Sequence, residues 1–159
     1  MRYKILSCIA ALTLTLALAG GVTLLAAERA EAKEAGSKNK EIVTSFYNLI
    51  FRDHKPAEAF ERFGGDKYIQ HNPRVPDGKD AVLGYFTPYF KSNPEAKSEI
   101  KRAVAEGDLV WLHVHAKKDA NDRGRAIVDI FRVEKGKVVE HWDVVQDIPE
   151  TAANTNTMF

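Results

Sequence analysis

Asp129, Glu140, His141 and Asp143 sit inside a stretch, Val128 to Gln146, that is otherwise dominated by apolar and β-branched residues. A carboxylate taken out of water is costly unless it is paired or put to use. This stretch is therefore the first place to look for chemistry. A carboxyl group in an apolar pocket has its proton affinity raised by desolvation, and a histidine beside it opposes that shift. Such a pair can take a proton from carbon next to a carbonyl and return it elsewhere. His71 and His113 are the candidate histidine partners. His113-x-His115 also offers two imidazoles to one strand face, and His71 with an Asp could complete a divalent-metal set. His-x-His arises readily by chance in strands, so no metal site is expected. Nothing reads as a phosphate loop, a Ser-His-Asp triad or a dinucleotide fingerprint, and no cofactor is expected.

The elements that must position these residues change period along the chain. Ile42, Val43, Phe46, Leu49 and Ile50 recur at three- and four-residue steps, the mark of one buried helix face. Pro56 suits the first turn of a second helix, whose apolar face is Ala57, Ala59, Phe60 and Phe63 and whose stop is Gly64-Gly65. Tyr68 and Ile69 read as a short extended segment ending in His71-Asn72, and Pro73 biases Asn72 to an extended conformation. A third helix runs from about Lys79 to Lys91, with an aromatic stripe that includes Tyr85, Phe86, Tyr89 and Phe90; Pro88 should kink it or end its regular part. From Ser98 the pattern reads as four strands: Ser98 to Ala105, Leu109 to Lys117, Arg125 to Glu134 and Lys137 to Asp147. Helices first and strands afterwards indicate an α+β domain with the helices on one face of an antiparallel sheet.

Register decides which polar groups meet. With Lys135-Gly136 as a two-residue turn, Glu134 opposes Lys137, Asp129 opposes Trp142, and Phe131 opposes Glu140. Asp129 and Asp143 then fall on opposite faces unless a bulge shifts one of them. If His113 opposes Asp129, one face carries Trp111, His113, Asp129, Phe131, Glu140 and Trp142. That face has the look of an apolar pocket with a few convergent polar groups. The other face carries Leu112, Val114, Val128, Ile130, His141 and Asp143, and is a candidate subunit interface, since strands apolar on both faces need both covered.

The N-terminus reads as a secretory signal peptide over residues 1–32: Arg2 and Lys4 precede a run from Ile5 to Ala27 without a charge, and Ala30-Glu31-Ala32 is a small-x-small cleavage pattern. An uncleaved membrane anchor is the alternative. Residues 33–40 read as a tether and 41–159 as the domain. Cleavage would remove the sole cysteine, Cys8, excluding disulfides and thiolate chemistry. The remainder carries equal numbers of basic and acidic residues, which argues against a nucleic-acid partner. The expected product is secreted or periplasmic and makes no stable membrane contact after cleavage.

Several motifs together resemble the SnoaL-like branch of the nuclear transport factor 2 superfamily, aldol-condensation-catalysing proteins related to polyketide cyclases. They are Tyr68-Ile69-Gln70-His71-Asn72-Pro73, Gly107-Asp108-Leu109-Val110, Asp129-Ile130-Phe131-Arg132, Gly136 to Gln146, and the ending Asn154 to Phe159. The resemblance covers about Ile42 to Phe159. It implies a cone-shaped α+β barrel, a curved antiparallel sheet wrapped around the helices with a pocket at its open end, and homodimers joined through the sheets. It also implies cofactor-free aldol chemistry with an Asp as acid/base. Asp143 and Asp129 both match: the register favours Asp129, the family comparison Asp143. His71 and His113 would orient the substrate oxygen, and Trp142, Tyr68, Asn72, Trp111, Phe131 and Phe86 would line the pocket. The export signal departs from the cytoplasmic habit of polyketide cyclases. Two functions remain: an exported acid/base enzyme acting on a small apolar carbonyl compound, or a binding module for a small hydrophobic ligand.

Overall fold

The computed structural model describes residues 6–159, with side-chain surroundings from residue 24 onward. Arg2 and Lys4 of the signal-peptide reading lie outside the described residues, as do the side chains of its apolar run up to residue 23. No helix among the described residues is long and apolar enough to cross a membrane. The chain divides into two units, Met1–Ala35 and Gly36–Phe159. The first is helical from Leu6, within α1 (Leu6–Phe51). Residues 33–40, read from sequence as a tether, are also helical. Lys, Glu and Ala in that segment favour a helix, and Gly36 is buried where a side chain would stand 3.8 Å from Ala105 Cβ. The Asn39 side chain donates to the Gly107 carbonyl at 3.0 Å, so the folded unit begins ahead of residue 41.

In Gly36–Phe159, the end of α1 is followed by α2 (Pro56–Phe63), β1 (Gly64–Gln70), α3 (Lys79–Ser92), β2 (Lys97–Glu106), β3 (Leu109–Lys117), β4 (Arg125–Glu134) and β5 (Lys137–Asp147). The four strands expected from Ser98 onward form within a residue of their expected ends. The sheet order is β1-β5-β4-β3-β2. β1 runs parallel to β5, whereas the other neighbours are antiparallel, so the sheet is mixed and open. The expected short extended segment thus becomes an edge strand. It begins at the Gly64-Gly65 pair expected to end α2, where a side chain on Gly65 would stand 2.7 Å from Val139 Cγ1. α3 continues through Pro88 to Ser92.

Register shifts in the β1–β5, β2–β3 and β4–β5 pairs bend the sheet. The concave face carries Val110, Leu112, Val114, Phe131, Val133 and Val138, all buried, against Val43, Phe46, Tyr47 and Ile50 of α1. Phe46 meets Phe60 and Phe131 edge-on, with ring centroids at 5.0 and 5.9 Å. Each fully buried large apolar side chain of this kind contributes about 1.5–3 kcal/mol. The core fills the closed end of the cone. Towards the other end, the aromatic stripe of α3 faces the sheet across a gap.

Candidate active site

Two backbone details set the register that sequence reading left open. Lys135 and Gly136 both take positive φ, 51° and 76°. They form the two-residue turn expected there, and Glu134 pairs with Lys137. A bulge then intervenes: Val133 pairs with Val138, but Arg132 pairs with Glu140, leaving Val139 as the extra residue. Every later pair is displaced by one. Asp129 comes opposite Asp143, and Phe131 opposite His141. On the other side of β4, Leu112 pairs with Asp129 and His113 with Val128, one residue from the expected register.

These shifts re-sort the candidates. Asp129, Phe131, His141 and Asp143 point into the cone. Trp111, His113, Glu140 and Trp142 share the convex face instead. His71 stacks on Trp142 with ring centroids 4.6 Å apart, and its Nε2 meets Glu140 Oε1 at 2.8 Å. Glu140 also accepts from Arg132 Nε at 2.6 Å. Burial works to raise the Glu140 carboxyl, but the bonds from His71 and Arg132 outweigh it and hold the group below its usual range. This cluster ties β1 to the outside of β5. His113 Nδ1 accepts from Arg102 at 2.9 Å and lies against Phe159, so it belongs to the outer surface. His115 bonds the Arg123 carbonyl there. His71, His113 and His115 therefore do not converge into the metal set considered from sequence. Among the described residues, the group with metal-ligand geometry is Asp129, His141 and Asp143, whose ligand atoms lie within 4.8 Å of one another. His141 and Asp129 already bond each other there, and Asn72 bonds Asp143.

The cone holds a cavity of about 280 Å³ lined by Tyr47, Tyr68, Gln70, Asn72, Phe86, Phe131, Asp129, His141 and Asp143, among others. Of the residues singled out from sequence, Asp129, Asp143, Tyr68, Asn72, Phe131 and Phe86 line it, and His71, His113, Trp111 and Trp142 do not. Sequence reading noticed His141 but assigned it to the face away from the pocket, and it did not single out Gln70 or Tyr47 as site residues. Gln70 ends β1 and Asn72 lies two residues beyond it, so extended backbone carried past the strand end puts them on one face, and that signal was available. His141 was hidden by the bulge. Tyr47 follows Phe46 on the core face of α1 and is 1% exposed.

The polar groups form one chain. Asn72 Oδ1 accepts from the Arg74 amide at 2.8 Å, which fixes its Nδ2 as the donor to Asp143 Oδ2 at 2.6 Å. The Asn72 amide donates to Gln70 Oε1 at 2.9 Å, which fixes that oxygen as an acceptor. The same oxygen lies 2.9 Å from His141 Nδ1, so this nitrogen must carry a proton. His141 Nε2 lies 3.0 Å from Asp129 Oδ1. With Nδ1–H fixed, a single proton is shared across that contact: the pair is either a carboxylate with an imidazolium or a carboxylic acid with a neutral imidazole. Asp129 is 5% exposed, and its Oδ2 is buried with no hydrogen-bond partner among the described residues. Asp143 has one anchored oxygen and one that makes no bond among the described residues. Burial pushes the Tyr47 and Tyr68 hydroxyls well above the usual phenol range, and the Asp129 charge adds to it, so both remain neutral donors.

The arrangement can therefore hold a carboxylate and a proton-sharing Asp–His pair on one wall of an aromatic cavity. It needs the cone fold to do so, and that fold is shared with known structures. A SnoaL-like protein of unknown function from Burkholderia thailandensis superposes with a TM-score of 0.58 at 16% identity, covering 69% of this chain and 95% of its own. A provisionally named polyketide cyclase from Bacillus cereus gives 0.58 at 20%, covering 68% and 74%. A provisionally named ketosteroid isomerase from Kribbella flavida gives 0.59 at 13%, covering 75% and 85%. At such identities the likeness is one of fold. No curated protein matches the sequence. The family model described as SnoaL-like domain matches residues 43–141, which include Asp129 and His141 and end two residues before Asp143. That match spans more than half of the 159 residues, and the chain belongs to the SnoaL-like family.

Proposed function

We propose that this protein catalyses cofactor-free proton transfer at carbon, of the aldol, cyclase or isomerase kind, on a small apolar carbonyl compound held in the cone. The observation that carries the reading is the meeting of Asp143 with the Asp129–His141 pair on the wall of an aromatic cavity. Asp143, steadied by Asn72 and with one oxygen open, is the base that removes a proton next to the carbonyl. The Asp129–His141 pair holds the second proton and returns it to the developing oxyanion or to the other carbon, with Tyr47 and Tyr68 as neutral donors nearby. The proton leaves one position and arrives at another, so no oxidant or reductant is needed. Fold alone does not assign a reaction. The residues of the wall support this one.

The test is solvent deuterium exchange at the carbon next to the carbonyl, followed by NMR over a panel of small ketones and aldehydes. Exchange that is lost in Asp143→Asn supports the assignment. Saturable binding with no exchange would instead make the protein a binding module for a small hydrophobic ligand.

Two further parts of the proposal concern setting. The Arg2/Lys4 segment and the uncharged run after it support export to a secreted or periplasmic location. Val104, Val128 and Val144 are 60%, 38% and 69% exposed. They share the convex face with Trp111, Ile130 and Trp142, and an exposed apolar patch of this kind supports a homodimer joined there.

A further inference from the structure

The bulge that builds the wall of the cone also gathers three metal-ligating side chains. His141 and Asp143 lie two apart on β5, and Asp129 is the direct partner of Asp143 on β4, so all three face the cavity. Asp129 Oδ1 and His141 Nε2 are 3.0 Å apart. That is the separation of two donors that each lie about 2.1 Å from one ion, near a right angle. The ligand atoms of the three residues all lie within 4.8 Å of one another. A side-chain movement of under about 2 Å gathers them on a single ion.

The surroundings fit held ligands. Gln70 Oε1 takes the Nδ1 proton of His141, which turns Nε2 to the carboxylates. Asn72 holds Asp143 Oδ2 and leaves the other oxygen open. Outer partners of this kind orient ligating imidazole and carboxylate groups in metal sites. The charge is also unbalanced. Two carboxylates placed opposite each other on neighbouring strands repel. Among the described residues neither has a Lys or Arg partner. Asp129 Oδ2 is buried with no hydrogen-bond partner among the described residues. Two carboxylates and a neutral imidazole carry two negative charges, which a divalent cation matches.

We infer that Asp129, His141 and Asp143 form a site for a divalent first-row transition ion, which takes the place of the proton shared between Asp129 and His141. That proton leaves to solvent. The Asp129 carboxylate and the His141 Nε2 lone pair turn to the ion, joined by the open oxygen of Asp143, and no electron is transferred. One imidazole with two carboxylates suits zinc better than magnesium, which prefers oxygen ligands alone and keeps its waters. Three protein ligands leave a coordination position open towards the aromatic cavity. The inference goes beyond the proton-transfer reading. With the ion bound, Asp143 is no longer free to act as the base, so the metal-loaded and proton-transferring forms exclude each other.

Calorimetric titration of zinc chloride, and separately of magnesium chloride, into the full chain reads stoichiometry and affinity. The chain carries Cys8→Ser, so that its sole thiol takes no metal. Asp143→Asn, Asp129→Asn and Gln70→Leu are titrated in the same background, with circular dichroism to confirm that each folds. His113→Ala/His115→Ala removes the paired imidazoles of the convex face and is the control. Zinc should bind at about one per chain, at least about tenfold more tightly than magnesium. Each cavity variant should weaken zinc by about tenfold to a hundredfold, whereas the control should stay within about twofold. In ¹⁵N-labelled protein, zinc should shift His141 Nε2 and leave Nδ1 protonated. No saturable zinc binding, undiminished binding in folded Asp143→Asn and Asp129→Asn, or binding lost in the control overturns the inference. If the aspartate variants do not fold, an Nε2 signal unmoved at saturating zinc overturns it. Deuterium exchange is read separately, in the presence of a chelator. A chain that binds zinc at these residues yet exchanges no carbonyl-adjacent proton overturns the catalytic reading alone. A chain that exchanges but binds no zinc there overturns this inference alone.

Discussion

Asp129 and Asp143 stand directly opposite each other on β4 and β5, on the concave side of the sheet. They do so because Val139 is an extra residue in β5. Side chains alternate along a strand, so without that bulge the two carboxyl groups would lie on opposite faces. A single inserted residue thus converts an outer-face aspartate into half of a paired site, and carries His141 in with it.

Asp143→Asn keeps the size and the Asn72 contact nearly intact but removes the base. Proton exchange next to the carbonyl should fall by about 10²–10⁴, the usual contribution of a positioned acid or base. Asp129→Asn should also slow exchange, whereas His113→Ala, on the convex face, should leave it within about twofold. NMR-detected deuterium exchange measures all three. A His113→Ala loss as large as that of Asp143→Asn would overturn the placement of the site.

Gln70 fixes which nitrogen of His141 carries a proton. In ¹⁵N-labelled protein, Nδ1 should show the shift and coupling of a protonated nitrogen throughout the neutral range. Gln70→Leu removes the acceptor and frees the tautomer. The Nδ1 signature should weaken, and exchange activity should drop by about tenfold with little change in fold. Gln70→Glu, which keeps an acceptor, should retain the Nδ1–H. An unchanged Nδ1 signature in Gln70→Leu would show that Gln70 does not select the tautomer.

Tyr47 is buried and its hydroxyl is held well above the ordinary value of 10.0, by burial first and by the Asp129 charge next. The sign follows from linkage. The unfolded chain releases this proton near 10 and the folded chain holds it, so the stability it contributes is full below 10 and is lost as pH rises further. Denaturant unfolding should show wild type losing stability above about pH 10. Tyr47→Phe should lose less over the same interval, with Tyr68 accounting for part of what remains.

Glu140 works in the opposite direction. Its folded value lies below the ordinary 4.5 because His71 and Arg132 overcome the burial cost. Its contribution is therefore present above about pH 4.5 and disappears as pH falls through the folded value. Glu140→Gln should be less stable than wild type at pH 7, and the gap should close as pH falls through the lowered Glu140 value. A gap that persists unchanged into acid would mean that packing, not charge, ties β1 to β5.

Replacing Phe46 by Ala should cost about 3–5 kcal/mol, since the ring is 1% exposed and meets Phe60 and Phe131 edge-on. Chemical denaturation of the variant reads this directly. A loss below about 1 kcal/mol would mean that the closed end of the cone collapses to fill the space.

The amino-acid order by itself determined the elements and the class of fold. Helical spacing in Ile42 to Ile50, Pro56 at a helix start, and period-two strands after Ser98 are local signals, because each reports on residues within a turn or a strand of one another. The two-residue turn at Lys135-Gly136 was legible for the same reason. Family motifs gave the SnoaL-like assignment. Asp129, Asp143, Tyr68, Asn72, Phe131 and Phe86 could be named as candidates because polar residues inside apolar strands, and aromatic stripes, stand out in one dimension. Tertiary structure alone decided which of them meet. Register across β4 and β5 depends on where a bulge is best tolerated, and that is set by packing on both sides of Val138 and Val139, both buried. One displaced residue sent Trp142 and Glu140 outward and brought His141 inward, and a one-residue difference on β3 sent His113 to the convex face. The pairing of β1 with β5 was equally non-local. It placed Gln70 and Asn72 against His141 and Asp143, across more than seventy residues of chain.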